Sequence, residues 1–402
     1  MISVDEARNR ILAALAPLPA ETVAVSEAAG RVLAEDVAAR RTQPPVAVSA
    51  MDGWAVRAAD VARVPAELRQ IGEAPAGGAY DGSVGPRQAV RIFTGGPMPQ
   101  GADTVIIQED VDADGLRLSV REGAAAGTYV RPAGLDFSAG DICLRAGRRL
   151  TPADVGLAAA MDVPWLPVRR RPRIALLATG NELVRPGEPV GPNQIVSSNA
   201  TALAALIRHA GGEAIDLGIA RDERQSLVTM AEGARGTDML VTLGGASVGD
   251  HDLVQKVLGE RGLKLDFWQI AMRPGKPLMF GAVGGIAMLG LPGNPVSSLV
   301  CGLIFLVPAL QRLLGVAAQY RPRSTARLGR DLGANDRRED YLRATLAWDA
   351  AGQAVATPFA KQDSSMLSRL AAADCLVVRP PLAPAARAGE TVDMIPLAGY
   401  GL

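Results

Sequence analysis

Met239-Leu-Val-Thr-Leu-Gly-Gly-Ala-Ser-Val-Gly-Asp-His-Asp252, then Arg273-Pro-Gly-Lys-Pro-Leu-Met-Phe-Gly281, then Ile286-Ala-Met-Leu-Gly-Leu-Pro-Gly-Asn-Pro-Val-Ser-Ser298 are the segments that decide the fold. Three short apolar runs each lead into, or follow, a Gly- or Pro-rich turn. Runs of this length bounded by such turns fit buried strands of a parallel sheet. In open α/β sheets, ligands bind where the strands end and the turns begin. The three turns are therefore expected to converge on one rim, where backbone amides, acids and cations would meet an anionic, phosphate-bearing ligand.

The flanks extend the pattern. Ile174–Ala178 and Ala214–Ile219 read as further strands, with helices at Asn199–Ala210, Asp222–Arg235 and Asp250–Arg261. Leu278–Phe280 and Ile286–Leu289 add two strands, and Val296–Leu314 a closing helix. This alternation predicts a parallel sheet with right-handed crossovers. Upstream, Ser3–Leu15 is an amphipathic helix with an acidic first turn, and Glu27–Asp36 a second short helix. Arg148–Met161 is a helix with Thr151 as N-cap and Pro152 at its first position. Between them Ala50–Asp136 is Gly-rich, with β runs at Ala89–Phe93, Thr104–Gln108 and Leu116–Val120, and reads as an inserted, mainly-β module. Arg169–Pro172 reads as a linker. Tyr341–Trp348, Ala354–Pro358 and Cys375–Arg379 read as strands of a small terminal β domain.

Composition narrows the chemistry. At 402 residues the chain exceeds the ~250–300 at which one core stops growing, so several domains are expected. Basic and acidic residues number 42 each, which gives no global attraction to nucleic acid or an anionic membrane. Cys143, Cys301 and Cys375 form neither a Cys-x-x-Cys motif nor a disulfide framework. The N-terminus lacks the basic-then-apolar order of a signal peptide. The longest apolar run, Leu299–Leu314, is interrupted by Pro308 and Gln311 and falls short of the ~20 residues of a membrane span. A soluble, cytoplasmic protein is expected. Only His209 and His251 occur, which nearly excludes a His-based zinc site and most His general-base chemistry. Carboxylates, Arg/Lys, backbone amides and a hard cation remain.

Gly245-Ala-Ser247-Val-Gly249 matches the nucleophile elbow of α/β hydrolases, in the right strand–turn–helix context. That chemistry needs a distant downstream His, and His251 stands only four residues past Ser247. The same turn also reads as a phosphate cradle, with Gly244, Gly245 and Gly249 allowing close backbone approach before a helix N-terminus. Asp250 and Asp252 there could both cap the helix, or one could hold Mg²⁺ with substrate phosphates completing its shell. Gly275-Lys276 is followed by Pro277, so it is no Walker loop, and no dinucleotide fingerprint occurs. Arg273 and Lys276 sit in a turn stiffened by two prolines. Leu291–Ser298 reads equally as structural turn or ligand loop.

Six motifs then stand in a fixed order: Ser49-Ala-Met-Asp-Gly-Trp-Ala55, Arg91-Ile-Phe-Thr-Gly-Gly-Pro-Met-Pro99, Ala178-Thr-Gly-Asn-Glu-Leu183, Gly244-Gly-Ala-Ser-Val-Gly-Asp-His-Asp252, Arg273-Pro-Gly-Lys-Pro277 and Leu291-Pro-Gly-Asn-Pro-Val-Ser297. Together they closely resemble the MoeA family, the bacterial molybdopterin molybdenumtransferases, over essentially the whole chain. The resemblance implies an α/β multidomain fold: a helical linker domain at 1–45 and 140–168, an inserted mainly-β domain at 46–139, a three-layer molybdopterin-binding α/β domain at 172–315 and a small β-barrel-like domain at 320–402. It also implies a homodimer whose cleft lies between the α/β domain of one subunit and N-terminal elements of the other.

The implied reaction inserts molybdate into adenylylated molybdopterin with Mg²⁺-dependent release of AMP. By match to the family's motifs, Asp52, Thr94, Asp136, Glu182, Asp222 and Asp252 are the acids and hydroxyl of the cleft, with Asp252 and Asp222 as metal ligands. Gly244, Gly245, Ser247, Gly249, Arg273, Lys276, Pro292, Asn294, Pro295 and Ser297 are expected at the substrate, together with Arg343 and Ser364 from the last domain. Gln269 and Arg273 stand where relatives often have Lys, and Trp54 where Tyr is common. Two other functions fit parts of the pattern: a molybdopterin adenylyltransferase, which the α/β domain alone also resembles, and a non-catalytic molybdopterin-binding or scaffold protein. A molybdopterin adenylyltransferase and downstream cofactor-maturation proteins are the expected partners.

Overall fold

The computed structural model describes residues 1–75, 77–245, 253–317 and 323–402. At its centre lies a six-stranded sheet in the order Glu213–Ala220, Arg173–Thr179, Met239–Leu243, Ile286–Leu291, Met279–Val283, Lys264–Trp268. The first four strands are parallel. The last two run antiparallel to their neighbours, so the sheet is mixed and the all-parallel expectation is corrected. The cause is local. Val283 pairs with Ile286 across Gly284 and Gly285, whose φ values of 57° and 82° meet the demand of a two-residue hairpin turn for positive φ.

Both faces of the sheet are covered, which is why its strands read as nearly continuous apolar runs. Ile174, Leu176 and Ala178 face one side, and Ala175 and Leu177 the other, all at most 1% exposed. Each fully buried Leu or Ile contributes ~1.5–3 kcal/mol. Helices Asn199–His209 and Pro295–Leu313 cover the first side, while Arg224–Glu232 and Leu253–Glu260 cover the second. Pro295–Leu313 is 19 residues long, with a mean hydropathy of 1.8 over 18 residues. By length and composition it could cross a membrane, contrary to the reading from sequence, but 89% of that window is buried in the core. Pro308 does not end it. A π-helical segment at Gly302–Leu306 widens the helix just upstream, where the proline ring would crowd the carbonyl one turn back.

The N-terminal helix, Val4–Ala13, is capped by Ser3, whose Oγ accepts the Glu6 N–H at 3.1 Å. It buries Val4, Ala7 and Ile11 in the α/β core. The expected helix at 27–36 does not form. A 3-10 turn at Val25–Glu27 ends before Gly30 (φ 76°), and Val32 and Leu33 then bridge to Arg149 and Val168. Short antiparallel pairs build most of this region: Ala20–Ala24 with Trp165–Arg169, and Val37–Ala38 with Ile142–Leu144. Arg169 is thus the end of a strand rather than the start of a linker. Helix Pro152–Ala160 forms with a capping box between Thr151 and Asp154.

The inserted module is a six-stranded sheet ordered Thr104–Ile107, Gly53–Val56, Gln88–Ile92, Ala66–Ala74, Arg117–Val120, Val111–Asp114. At the other end of the chain, Glu339–Trp348 pairs with both Ala354–Pro358 and Cys375–Arg379. Ser324–Leu328 and Thr391–Pro396 complete the ring, so five strands close into a small barrel that leaves no free edge among them. Tyr341, Leu376, Val378 and Ile395 on its outside join the α/β core.

Candidate active site

The rim is set by register. Ala178, Leu243 and Leu291 are neighbours across three parallel strands, so the turns that follow begin at one level. They then pack backbone against backbone. The Gly244 N–H donates to the Leu291 carbonyl at 3.1 Å. A Cβ on Gly244 (φ 93°) would lie 3.0 Å from the Thr179 carbonyl oxygen, and one on Gly293 would lie 3.7 Å from the Gly244 Cα. The positive φ favours glycine at 244, whereas a side chain at 293 would meet only ordinary contact. The Asn199 amide donates to the Gly293 carbonyl at 2.6 Å and fixes the third turn.

Two carboxylates lie against one dipeptide of this rim. The Asn181 N–H donates to Asp222 Oδ2, and the Asp222 N–H donates to Asn181 Oδ1, both at 3.2 Å. The Glu182 carboxylate folds back over Gly180, 2.3 Å from where a Cβ there would stand. Asp222 and Glu182 are both exposed. The helix expected from Asp222 begins at Arg224, which leaves Asp222 in the turn. Ser247, Gly249, Asp250, His251 and Asp252 lie outside the described residues; Gly245 (φ 64°) is the last residue before them.

The Pro292–Ser297 segment meets the C-terminal domain. The Asn294 amide donates to Ser364 Oγ at 3.0 Å, and the Val296 N–H donates to the Ser364 carbonyl at 3.1 Å. Pro295 opens the helix at a position where a missing N–H costs nothing. Ser297, expected at the substrate, is only 4% exposed in the first turn of that helix.

Two arginines expected at the substrate have partners in the C-terminal domain. Arg273 turns to the C-terminal domain: it ion-pairs with Asp340 and, at 3.2 Å, with Asp336, and it donates to Asn335 Oδ1 at 3.2 Å. Met272–Arg273 also pairs in parallel with Glu339–Asp340. Asp340 raises the Arg273 pKa further above its already high value. Burial outweighs Arg273 at Asp340 and pushes that carboxyl up. Arg343 is buried at 1% exposure, donating to Gln362 Oε1 at 3.0 Å and to the Asp363 carbonyl at 2.7 Å. It anchors the 362–364 loop that carries Ser364, and burial lowers its pKa. Lys276 is exposed just before Met279–Val283, which enters the sheet beside Gly290 at the rim end.

A second cluster lies in the module. The Thr94 N–H and hydroxyl both donate to Asp52 Oδ1, at 2.7 and 2.9 Å, and these bonds hold the Asp52 carboxyl below the usual range. Asp136 is exposed, with its N–H on the Gln43 carbonyl at 3.0 Å. The rim gathers Glu182, Asp222, Gly244, Gly245, Pro292, Asn294, Pro295 and Ser364. Asp52 and Thr94 bond to each other within 46–139, and Asn181 and Asp222 to each other within 172–315. Asn199 and Gln362, and the partner of the motif residue Asn181, escaped the sequence reading because each acts on a neighbour's backbone or side chain, and such partners become visible only in the fold.

The family models for the MoeA N-terminal region (domain I and II), the "Probable molybdopterin binding domain" and the MoeA C-terminal region (domain IV) match residues 2–161, 175–312 and 325–397. A molybdopterin molybdenumtransferase of Nostoc sp. is 38% identical over 81% of this chain and 77% of its own length. That of Haemophilus influenzae is 33% identical over 98% of both. A crystal structure of a molybdopterin biosynthesis MoeA protein from Pyrococcus horikoshii, 28% identical, superposes with a TM-score of 0.85 over 98% of this chain and 99% of that one. Matched in this way from its first helix to its terminal barrel, the chain belongs to the MoeA family.

Proposed function

We propose that this chain inserts molybdenum from molybdate into adenylylated molybdopterin, with Mg²⁺-dependent release of AMP. The transferase activity is the family's. The observation that carries it here is the convergence of three glycine turns and two carboxylates on the rim at Gly244, Leu291 and Asn181.

The substrates are anions, and bringing them together requires donors fixed in advance. The Gly245 N–H and the exposed Lys276 ammonium supply such donors, and the Asn294–Ser364 contact holds the third turn beside them. Among the described residues no three acidic, Cys or His side chains cluster to hold a metal. Mg²⁺ needs fewer, because it takes one or two carboxylates and fills its shell with water and phosphate oxygens. Asp222, bonded to the Gly180–Asn181 turn, and Glu182, folded over it, fit that demand, and Asp252 is the further candidate from sequence. When bound, the ion would neutralise phosphate charge at the bond to AMP. Asp52, fixed by Thr94 and ionised, is the module's acid, with Asp136 as a further one.

The module acid and the rim meet in a homodimer, in which one subunit's 46–139 faces its partner's rim. A cytoplasmic enzyme fed by a molybdopterin adenylyltransferase, and passing its product to cofactor-maturation proteins, completes the reading. The test is to supply purified protein with adenylylated molybdopterin, molybdate and Mg²⁺ and to follow AMP. Release that depends on molybdate supports the proposal. Formation of adenylylated pterin from ATP instead, or binding without turnover, overturns it.

A further inference from the structure

The face of the β module that carries Asp52 also carries a cation with no role so far. Gly53–Val56 and Gln88–Ile92 pair antiparallel with Trp54 opposite Arg91, and Gly53 lies opposite Ile107 on the other side. Side chains two apart on a strand share a face, so Asp52, Trp54, Arg91, Phe93 and Gln108 stand together. The contacts agree. The Arg91 guanidinium carbon lies 4.4 Å from the Trp54 ring centroid and 5.1 Å from that of Phe93. Its Nη1 donates to the Gly53 carbonyl at 3.3 Å and its Nη2 to Gln108 Oε1 at 2.9 Å. The Trp54 indole N–H donates to Gln70 Oε1 at 3.0 Å, which fixes the ring. Trp is the aromatic side chain that holds a cation best.

We infer that Arg91 is a positioning residue for Asp52: clamped between two rings and tied to the Gly53 carbonyl next in sequence, it fixes where the module presents its carboxylate. This rests on the reading of Asp52 as the module's acid. Asp52 Oδ1 is already occupied by Thr94, so Oδ2 is the atom left to act. The fixed charge of Arg91 also favours the ionised form of Asp52, as a smaller contribution than the Thr94 bonds. Glu73, opposite Arg91 on Ala66–Ala74, and Glu109, after Gln108, are the acids flanking the clamp.

The test compares Arg91→Gln, Arg91→Lys, Asp52→Asn and the double variant Asp52→Asn/Arg91→Gln in molybdate-dependent AMP release, each first shown to be folded by thermal unfolding. Arg91→Gln is expected to lower kcat about 100-fold, the scale of a small misplacement, with KM little changed. Arg91→Lys keeps the charge and loses the fork, and is expected to recover part of the rate. The double variant should be no slower than Asp52→Asn alone, because residues acting as one unit are not additive. An additive double variant, or wild-type kcat in Arg91→Gln beside a crippled Asp52→Asn, overturns the inference and leaves Asp52 in place. Wild-type rates in Asp52→Asn overturn the reading of the site itself. If Arg91→Gln does not fold, Gln108→Ala replaces it. That change removes an acceptor from an exposed position, and a wild-type kcat there also overturns the inference.

Discussion

Asn181 and Asp222 hydrogen-bond each other in both directions, backbone N–H to side-chain oxygen each way, at 3.2 Å. The bond ties the turn after Arg173–Thr179 to the turn after Glu213–Ala220, and so places a carboxylate on the rim without burying it.

This pair separates structure from chemistry. Asp222→Asn keeps an acceptor for the Asn181 N–H, so unfolding in urea should shift by no more than ~1 kcal/mol, while Mg²⁺-dependent AMP release is lost. Asn181→Ala should lower both stability, by about 1 kcal/mol, and rate. Full activity in Asp222→Asn would remove Asp222 from the site.

A shared cleft has a signature in mixed dimers. Asp52→Ala and Asp222→Ala homodimers are each expected to be inactive. Mixed and allowed to exchange subunits, they should regain about a quarter of the wild-type rate, because half the dimers are heterodimers with one intact cleft each. No recovery, with exchange shown by native mass spectrometry, would mean that each cleft is built within one chain.

Arg273 is expected to act through stability. Arg273→Ala leaves Asp340 buried without its cation, with Oδ1 already unpaired. A loss of about 1–3 kcal/mol follows, less than for a fully buried pair because the Arg273 side chain is 46% exposed. A raised KM with unchanged stability would instead restore Arg273 as a substrate contact.

The same junction should shape the acid limb of the stability curve. Asp336 is held at about 2, first by the Arg338 side chain and then by its backbone N–H. An unfolded Asp titrates at about 3.9. A lowered folded value gives stability that is present above the unfolded pKa and lost as pH falls toward the folded one. Asp340 is raised and works in the opposite sense, taking up its proton earlier in the folded state. Asp336→Asn should therefore make stability fall less steeply between about pH 4 and pH 2, measured by denaturant titration at each pH. An unchanged slope contradicts it.

Gly275 sits at φ 112°, and an added Cβ would lie 2.4 Å from Cys301 Sγ. Gly275→Ala should cost about 1–3 kcal/mol. Adding Cys301→Ala should recover only the steric share, because the backbone strain stays. Complete recovery would show that φ matters little there.

The sequence alone determined the rim. Strands leading to glycine turns could be read at Met239–Leu243 and Ile286–Leu289, because burial on both faces forces continuous apolar runs and the positive φ at Gly244 favours glycine. The six ordered motifs determined the family, because their joint order is specific where each alone is weak. Tertiary structure alone decided the direction of Met279–Val283, the failure of a helix at 27–36, the ion pairs of Arg273 and the burial of Arg343. Those outcomes depend on partners outside the local segment: a hairpin turn read against a neighbouring strand, the 3-10 turn and bridges that replaced a helix, Asp340 67 residues past Arg273, and Gln362 beside Arg343. A charged side chain looks the same in sequence whether it faces a ligand or a carboxylate from another domain, and only packing distinguishes the two.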